Sequence, residues 1–92
     1  MPVDLLTPAE RAEFLAAHPA WKLDGGTLIC TYTFSDFVEA FSFVARVALL
    51  AEKAFHHPDI QISWNKVTLR LTTHSAGGLT SRDIDLAASI DA

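Results

Sequence analysis

The strongest constraint on the fold is a pair of alternating segments in the second half of the chain. Residues 60–64 and 67–72 both alternate apolar with polar side chains, which is the period of a β-strand that buries one face. Asn65-Lys66 is the only polar break between them, and Asn tolerates the positive φ that tight turns require. We therefore predict an antiparallel hairpin with a two-residue turn at Asn65-Lys66.

This turn also predicts which residues of the hairpin lie opposite each other. With Trp64 opposite Val67, the same spacing carried back along both strands sets His57 opposite His74. Side chains in directly opposed positions lie close enough for one small molecule to contact both. Pro58 has no N–H to donate to the ladder, so the pairing is expected to weaken there. The register predicts that the two imidazoles are near neighbours.

Capping and turn signals place further elements before the hairpin. Thr7-Pro8-Ala9-Glu10 combines an N-cap Thr, Pro at the first helical position and Glu at the third, so a first helix is predicted to run to Ala17. Two short strands are predicted at residues 21–23 and 27–34, around a Gly25-Gly26 turn. The predicted order in this part of the chain is helix, strand, strand.

A long amphipathic helix is predicted between these strands and the hairpin, with Ser35 as its N-cap. Its apolar side chains recur at steps of three and four residues, which places them on one helix face: Phe37, Phe41, Val44, Ala48, Ala51 and Phe55. Three more apolar residues widen this stripe beyond what one sheet face requires: Val38, Ala45 and Leu49. Half of all residues are hydrophobic, so some of the apolar surface of the chain as a whole is expected to be buried against another subunit.

A third helix is predicted after the hairpin, because Thr80 and Asp83 form a second capping box. The predicted element order is α-β-β-α-β-β-α. This order favours an α+β fold, in which a four-stranded antiparallel sheet carries three helices packed on one face. At 92 residues the chain is expected to form a single domain spanning residues 1–92.

Composition argues against several classes of function. The net charge is −4 and no run of Lys or Arg is present, which disfavours nucleic acid or an anionic membrane as the main partner. Cys30 is the only cysteine, so neither a disulfide framework nor a cysteine metal site is expected. Residues 1–4 do not resemble a signal peptide, and no apolar run is long enough to cross a bilayer. A cytoplasmic location is therefore expected.

Three histidines form the main chemical signal: His56, His57 and His74. Imidazole titrates near neutral pH, so a pair of histidines can offer one acid and one base. Three histidines could instead bind a metal ion, although adjacent histidines project differently and no His-x-His or His-x₃-His spacing is present. A third interpretation is that these residues merely terminate a helix and a strand. Convergence of all three favours a site.

Four motifs around these histidines, together with the start of the first helix at Leu6 to Glu10, resemble the pterin-4a-carbinolamine dehydratases. The resemblance covers nearly the whole chain. The motifs are Glu52-x₃-His56-His57-Pro58, Trp64-Asn65-x-Val67, Thr73-His74 and Gly78-Leu79-Thr80-x₂-Asp83. The resemblance implies the α-β-β-α-β-β-α fold and assembly as a homodimer, or as a dimer of dimers that forms a homotetramer.

The resemblance also implies a lyase reaction in cofactor recycling. A 4a-hydroxytetrahydropterin loses water to give quinonoid dihydropterin, as in the regeneration of tetrahydrobiopterin for aromatic amino acid hydroxylases. Pterin is then the small-molecule substrate, an aromatic amino acid hydroxylase is a candidate partner, and no metal or organic cofactor is expected. The elimination suits histidines, because the leaving hydroxyl needs a proton and a ring N–H proton must be removed.

By the family pattern the catalytic residues are His56, His57 and His74. Of these, His56 and His74 are assigned to proton transfer and His57 to substrate positioning. The resemblance implies substrate-binding roles for six further residues: Glu52, Leu71, Thr72, Thr73, Arg82 and Asp83. The backbone of residues 71–73 is expected to meet the pyrimidine edge of the pterin. Phe55 departs from the family pattern, in which this position is more often small or polar.

Two other functions stay open from the sequence. The fold is compatible with a non-catalytic binding, assembly or coactivator protein, because fold alone does not determine function. A metal-binding regulator ranks below both the enzyme and this non-catalytic protein. The histidine trio favours the enzyme, since a scaffold has no evident need for it.

Overall fold

The computed structural model describes residues 4–92, and its elements confirm the order α-β-β-α-β-β-α. The elements are α1 (Pro8–Ala17), β1 (Lys22–Asp24), β2 (Thr27–Thr33), α2 (Phe37–Ala54), β3 (Asp59–Ser63), β4 (Lys66–Leu71) and α3 (Ser81–Asp91). A short 3₁₀ turn at His74–Ala76 precedes α3. The expectation about a signal peptide rests on the first residues, and residues 1–3 lie outside the described range. Within residues 4–92, no helix has the length and apolarity needed to cross a membrane.

The four strands form one antiparallel sheet in the order β1-β2-β4-β3. Alternate side chains of the two central strands form its buried face: Leu28, Cys30, Val67, Leu69 and Leu71. These residues belong to the same core as the buried residues of the helices, while Thr31 and Arg70 on the opposite face are exposed. The predicted fold class is confirmed, because three helices cover one face of a four-stranded sheet.

The β3–β4 hairpin forms, but its predicted turn and register are wrong. Ser63 pairs with Lys66, so the turn is Trp64-Asn65, one residue earlier than predicted. Trp64 has a φ of 50° and is exposed. The backbone oxygen of Asn65 accepts from the Phe34 N–H at 2.8 Å, and its Nδ2 donates to the Phe34 carbonyl at 2.9 Å. These two bonds to the end of β2 account for the position of the turn.

The observed register removes the predicted pairing of His57 with His74. Strand β3 begins at Asp59, which lies opposite Arg70, so His57 precedes the ladder and has no strand partner. Pro58 lies between His57 and Asp59 and has no N–H to donate, which is why the pairing stops at this point.

Helix α2 differs from its prediction at its cap and in the face that it buries. Asp36 is the N-cap in place of Ser35, because the Asp36 side chain accepts from the Glu39 N–H at 2.8 Å. The Ser35 N–H instead donates to the Glu39 carboxylate at 3.3 Å. The face that joins the core is offset from the predicted stripe and includes Ala40, Phe43, Val47 and Ala51.

Most of the predicted apolar stripe of α2 faces away from the core. Six apolar residues recur at helical spacing on an exposed surface that we call the outer α2 face: Phe37, Val38, Phe41, Ala45, Ala48 and Leu49. Leu49, for example, is 73% exposed. Because two sides of this helix are apolar, hydrophobic spacing alone does not determine which side packs on the sheet.

Helices α1 and α3 begin with the predicted capping boxes, at Thr7 with Glu10 and at Thr80 with Asp83. The C-terminal end of α3 is held by a side chain from α2. The Arg46 guanidinium donates to the last carbonyl groups of the chain, those of Ser89 (3.2 Å), Ile90 (2.8 Å) and Ala92 (3.0 Å). A helix end leaves such carbonyls without partners, so this cation satisfies them and complements the helix dipole.

Asp91 ties the same end of α3 to the first half of the chain. Its carboxylate accepts from Trp21 Nε1 at 3.1 Å and from the Tyr32 hydroxyl at 2.9 Å, and it lies 3.1 Å from His18 Nδ1. Burial raises the pKa of the Tyr32 phenol well above its usual range, and burial likewise raises the pKa of the neighbouring Cys30 thiol. Both groups therefore stay protonated in the folded protein.

Candidate active site

The chain turns sharply at the end of α2, and this turn delivers the two adjacent histidines. Phe55 adopts the left-handed conformation, with φ of 51° and ψ of 37°. The Phe55 N–H donates to the Glu52 carbonyl and the His56 N–H to the Ala51 carbonyl, both at 3.2 Å, which is the pattern of a Schellman motif. After the turn, His56 contacts α3 and His57 leads towards β3.

His56 makes the shortest polar contact of this region, and its partner is a fully buried carboxylate. The His56 Nε2 lies 2.6 Å from Asp83 Oδ1, and Asp83 is 0% exposed. The other oxygen, Oδ2, accepts from the Thr80 N–H at 2.9 Å and from the Thr73 hydroxyl at 2.8 Å. A buried carboxylate needs such donors because burial removes its water. Asp83 is placed to hold His56, and its burial keeps it from direct contact with a ligand.

The hydroxyl groups around Asp83 have one consistent hydrogen-bond order. Thr73 gives its only hydroxyl proton to Asp83, so the Thr80 hydroxyl donates to Thr73 Oγ1 at 2.8 Å. Thr80 Oγ1 in turn accepts from the Arg82 N–H at 3.2 Å. The carboxylate is an acceptor in all these bonds, so the His56 Nε2 carries the hydrogen in the remaining one. Nδ1 is left as the nitrogen of His56 that can exchange a proton.

Asp83 also joins the two chain segments that carry histidines. One of its oxygens contacts His56 and the other contacts Thr73, whose chain neighbour is His74. The 56–57 and 73–74 segments are therefore neighbours through a shared buried carboxylate, and not through the hairpin register. His74 opens the 3₁₀ turn and is exposed.

His57 has a different neighbour from His56. Its Nε2 lies 3.6 Å from Glu52 Oε1, and the two side chains are 58% and 75% exposed. Within residues 4–92, no direct hydrogen bond or ring stacking joins His56, His57 and His74 to one another. An exposed contact of this length contributes little to stability, so His57 and Glu52 can turn towards a ligand at small cost.

The end of β4 has one open edge, because β3 begins at Asp59, opposite Arg70, and does not extend alongside residues 71–73. Other contacts already engage parts of these residues. The Leu71 side chain is buried in the core, and the Thr72 hydroxyl donates to the Gly26 carbonyl at 2.8 Å. The Thr73 N–H is hydrogen-bonded within the loop that follows. The buried Leu71 side chain is therefore closed to a ligand at this edge, and the role predicted for the backbone of residues 71–73 stays a prediction.

A cleft of about 340 Å³ opens beside His56, between α2 and α3. Among the predicted site residues, His56 and Arg82 line it. The others do not: Glu52, His57, Leu71, Thr72, Thr73, His74 and Asp83. Two of the nine predicted site residues therefore line this cleft, and His57 and Glu52 lie outside it at exposed positions.

The sequence interpretation missed Thr80 and the six lining residues of the cleft other than His56 and Arg82. Thr80 had a signal, because its capping box with Asp83 was recognised, but the box did not show that the same carboxylate holds His56. Lys53 and Leu86 line the cleft and belong to no motif. Within the described residues, no group of three or more His, Cys, Asp or Glu side chains could hold a metal ion.

Known proteins are similar in sequence to this chain over nearly its full length. The pterin 4 alpha carbinolamine dehydratase family matches residues 4–92. Proteins of Acidobacterium capsulatum and Chloroflexus aurantiacus, both named "Putative pterin-4-alpha-carbinolamine dehydratase", are 56% and 52% identical to the chain. The first match covers 95% of this chain and 95% of the relative, and the second covers 94% and 92%.

Solved structures share the fold. The crystal structure of a transcriptional coactivator/pterin dehydratase from Brucella melitensis matches with a TM-score of 0.90 and 39% identity, over 96% of each chain. A pterin dehydratase-like protein identified as a RuBisCO assembly factor in the alpha-carboxysome matches with a TM-score of 0.63 and 21% identity, over 77% of this chain and 82% of its own, which shows the fold alone. The chain belongs to the pterin 4 alpha carbinolamine dehydratase family.

Proposed function

We propose that this protein dehydrates a 4a-hydroxytetrahydropterin to quinonoid dihydropterin by histidine acid/base catalysis. Family membership supports the reaction class. The observation that carries the proposal is the 2.6 Å contact between His56 and Asp83, because a fully buried carboxylate that orients an imidazole is the arrangement that a proton-transfer histidine requires.

The reaction needs one proton delivered and one removed. The bond between C4a and the hydroxyl oxygen breaks, the hydroxyl takes a proton and leaves as water, and the ring nitrogen beside C4a gives up its proton. His56 exchanges one of these protons through Nδ1, since Nε2–H is held by Asp83. We assign the second proton to His74, on the neighbouring segment that Thr73 fixes to Asp83. His57, beside Glu52, positions the substrate.

We further propose that the reaction uses no metal or organic cofactor. Imidazole alone can supply both proton transfers near neutral pH. The biological role would be recycling of a tetrahydrobiopterin-type cofactor in the cytoplasm, with an aromatic amino acid hydroxylase as the enzyme that generates the substrate. Glu52, Arg82 and the backbone of residues 71–73 would bind the pterin, while Asp83 acts through His56.

The test is dehydration of chemically generated 4a-hydroxytetrahydropterin, followed by ultraviolet absorbance. Wild-type protein is expected to accelerate the reaction, and His56→Ala and His74→Ala to lower kcat by about a hundredfold. His18→Ala is a matched control, because His18 also contacts a carboxylate, but at the far end of α3. No acceleration by folded wild type would contradict the enzyme. Loss of activity after treatment with a chelator would contradict the metal-free mechanism.

The outer α2 face supports a proposal about assembly. Phe37, Phe41 and Leu49 are large apolar residues exposed along a single helix, and contiguous apolar patches of this kind commonly mark interfaces. We propose that α2 packs against α2 of a second copy in a homodimer or homotetramer. Phe41→Glu is expected to lower the mass measured by light scattering, whereas Leu23→Glu, at an exposed leucine of β1, should not. An unchanged mass in Phe41→Glu would contradict this interface.

The same face favours a second candidate function, that of a binding, assembly or coactivator protein. An exposed apolar surface can bind another protein as well as a second copy. The dehydration assay separates the two functions, because a pure binding protein would not accelerate the reaction and would be indifferent to His56→Ala.

A further inference from the structure

Two cationic side chains line the cleft beside His56. Lys53, in the last turn of α2, and Arg82, in the first turn of α3, both line it. The ion pairs formed within residues 4–92 include neither residue. The chain as a whole has a net charge of −4, so a cleft lined by two cations differs in sign from the chain as a whole.

The remaining lining residues describe the kind of ligand that fits. Leu50, Ala54 and Leu86 give the cleft an apolar floor. Asp85 is the one acidic residue of the lining, and Ser89 donates its hydroxyl to the Asp85 carbonyl at 3.0 Å. With Lys53, Arg82 and Asp85 charged, the lining is positive by one unit. A volume of about 340 Å³ is within the range of small-molecule pockets.

His56 connects this cleft to the proposed chemistry. His56 is among the lining residues, while its Nε2 is engaged by Asp83. A pterin that meets the remaining nitrogen of His56 would have atoms close to the cleft. Its substituent, which projects from the fused rings, could then extend over the apolar floor towards Lys53 and Arg82.

We infer that this cleft is a subsite for an anionic substituent, a carboxylate or a phosphate, on the pterin ring. The inference rests on the proposed function for the identity of the ring, but the charge of the subsite can be tested without turnover. Arg82 holds the anion from α3 and Lys53 from α2, and Asp85 limits the excess positive charge. Charge-assisted contacts to carboxylate and phosphate are the strongest that these two side chains make.

The first test compares binding of two fluorescent pterins that differ in the charge of the substituent, pterin-6-carboxylate and 6-hydroxymethylpterin. The anionic pterin is expected to bind about fivefold more tightly, as for a charge contact at a partly exposed site. Lys53→Gln should abolish this preference, and Asp85→Asn should increase it. Lys66→Gln makes the same change of charge at the start of β4, outside the cleft lining, and should leave the preference unaltered. The affinity for the phosphate ester of 6-hydroxymethylpterin, compared with that for pterin-6-carboxylate, shows which of the two anionic groups the subsite prefers.

Ionic strength supplies an independent readout. Because salt screens charges in an open cleft, the preference should shrink between low and high salt, whereas a difference due to shape would persist. Equal affinities of the two pterins, a preference that survives Lys53→Gln, or no binding of either compound at millimolar concentration would each overturn the inference.

Turnover distinguishes failure of the subsite from failure of the proposed function. Lys53→Gln should raise KM about fivefold more for a carbinolamine with an anionic substituent than for one with a neutral substituent. Activity without any charge preference would overturn the subsite and leave the function standing. Charge-selective binding without dehydration would support the subsite and overturn the function.

Discussion

Replacement of Asp83 by Asn tests the proposed role of the buried carboxylate with the smallest change of shape. In the wild type both oxygens are acceptors, from His56 on one side and from Thr73 and the Thr80 N–H on the other. Asn keeps one oxygen, which is needed to accept the two donors on the threonine side. The amide NH₂ then faces His56 and donates to Nε2, so the ring must take the tautomer that carries its hydrogen on Nδ1.

The expected loss of activity follows from this change of tautomer. With hydrogen on Nδ1, the neutral ring has no lone pair at the nitrogen assigned to proton exchange, and the contribution of one positioned acid or base is about 10²–10⁴ in rate. We expect kcat to fall by about a hundredfold or more, with a smaller change in KM. Stability should fall by about 1–2 kcal/mol, because a hydrogen bond to a charged group becomes one between neutral groups and Asp83 is fully buried.

The ultraviolet dehydration assay measures kcat and KM, and urea unfolding monitored by circular dichroism measures stability. Asp24→Asn is the matched control, because it makes the same chemical change on an exposed side chain, whose Oδ2 lies 3.8 Å from Arg70 Nη1. It should leave kcat and the free energy of unfolding unchanged. An Asp83→Asn protein that is folded and turns over substrate within twofold of the wild type would refute the role given to Asp83 and to Nδ1 of His56.

Three further predictions concern the scaffold around the site. Phe55→Gly should raise the free energy of unfolding by about 0.5–1 kcal/mol, because Phe55 is 83% exposed in the left-handed region that glycine tolerates, whereas Phe55→Ala keeps the backbone strain and should not stabilise. Arg46→Met should destabilise by about 1–2 kcal/mol in urea unfolding, since it removes the donors to the last carbonyls of α3; a cost below 0.3 kcal/mol would contradict this. Burial raises the pKa values of Tyr32 and Cys30 in the folded protein, so the unfolded chain releases these protons first as pH rises and stability falls with pH. The fall should begin near the ordinary Cys and Tyr values, about pH 8.5–10, with a slope of about 1.4 kcal/mol per pH unit for each retained proton, and Tyr32→Phe should reduce the slope.

The helices, the strands and their order could be predicted because each has a local signal. The capping boxes at Thr7 and Thr80 depend on residues three apart, and the alternation in 60–64 and 67–72 depends on neighbours two apart. Such signals are contained in the sequence around them. The family resemblance likewise rests on short motifs that can be identified without a structure.

The hairpin register could not be predicted, because it depends on a contact distant in sequence. The two bonds between Asn65 and Phe34 hold the turn at Trp64-Asn65, and no pattern within residues 60–72 contains them. A shift of the turn by one residue leaves the apolar faces of both strands unchanged, so alternation could not detect the error. The predicted proximity of His57 and His74 was therefore argued from a register that does not form.

The link from His56 to Asp83 was hidden for a related reason. Asp83 already had a complete local explanation as the third residue of a capping box, and that explanation is correct. Its second oxygen reaches a residue 27 positions away, on a segment whose direction depends on the left-handed conformation of Phe55. The buried face of α2 was missed because apolar residues occupy two sides of that helix.

Anchorage of α3 at both ends gives the molecule an internal optical reporter. Asp83 fixes the first turn of the helix to His56, and Asp91, about 12 Å away along the axis, accepts a hydrogen bond from the indole of Trp21. Trp21 is buried, whereas the second tryptophan, Trp64, is exposed in a turn. In a Trp64→Phe protein, Trp21 is the remaining tryptophan. A tilt of α3 caused by ligand binding at His56 would then change the fluorescence emission of Trp21, and no added label is needed.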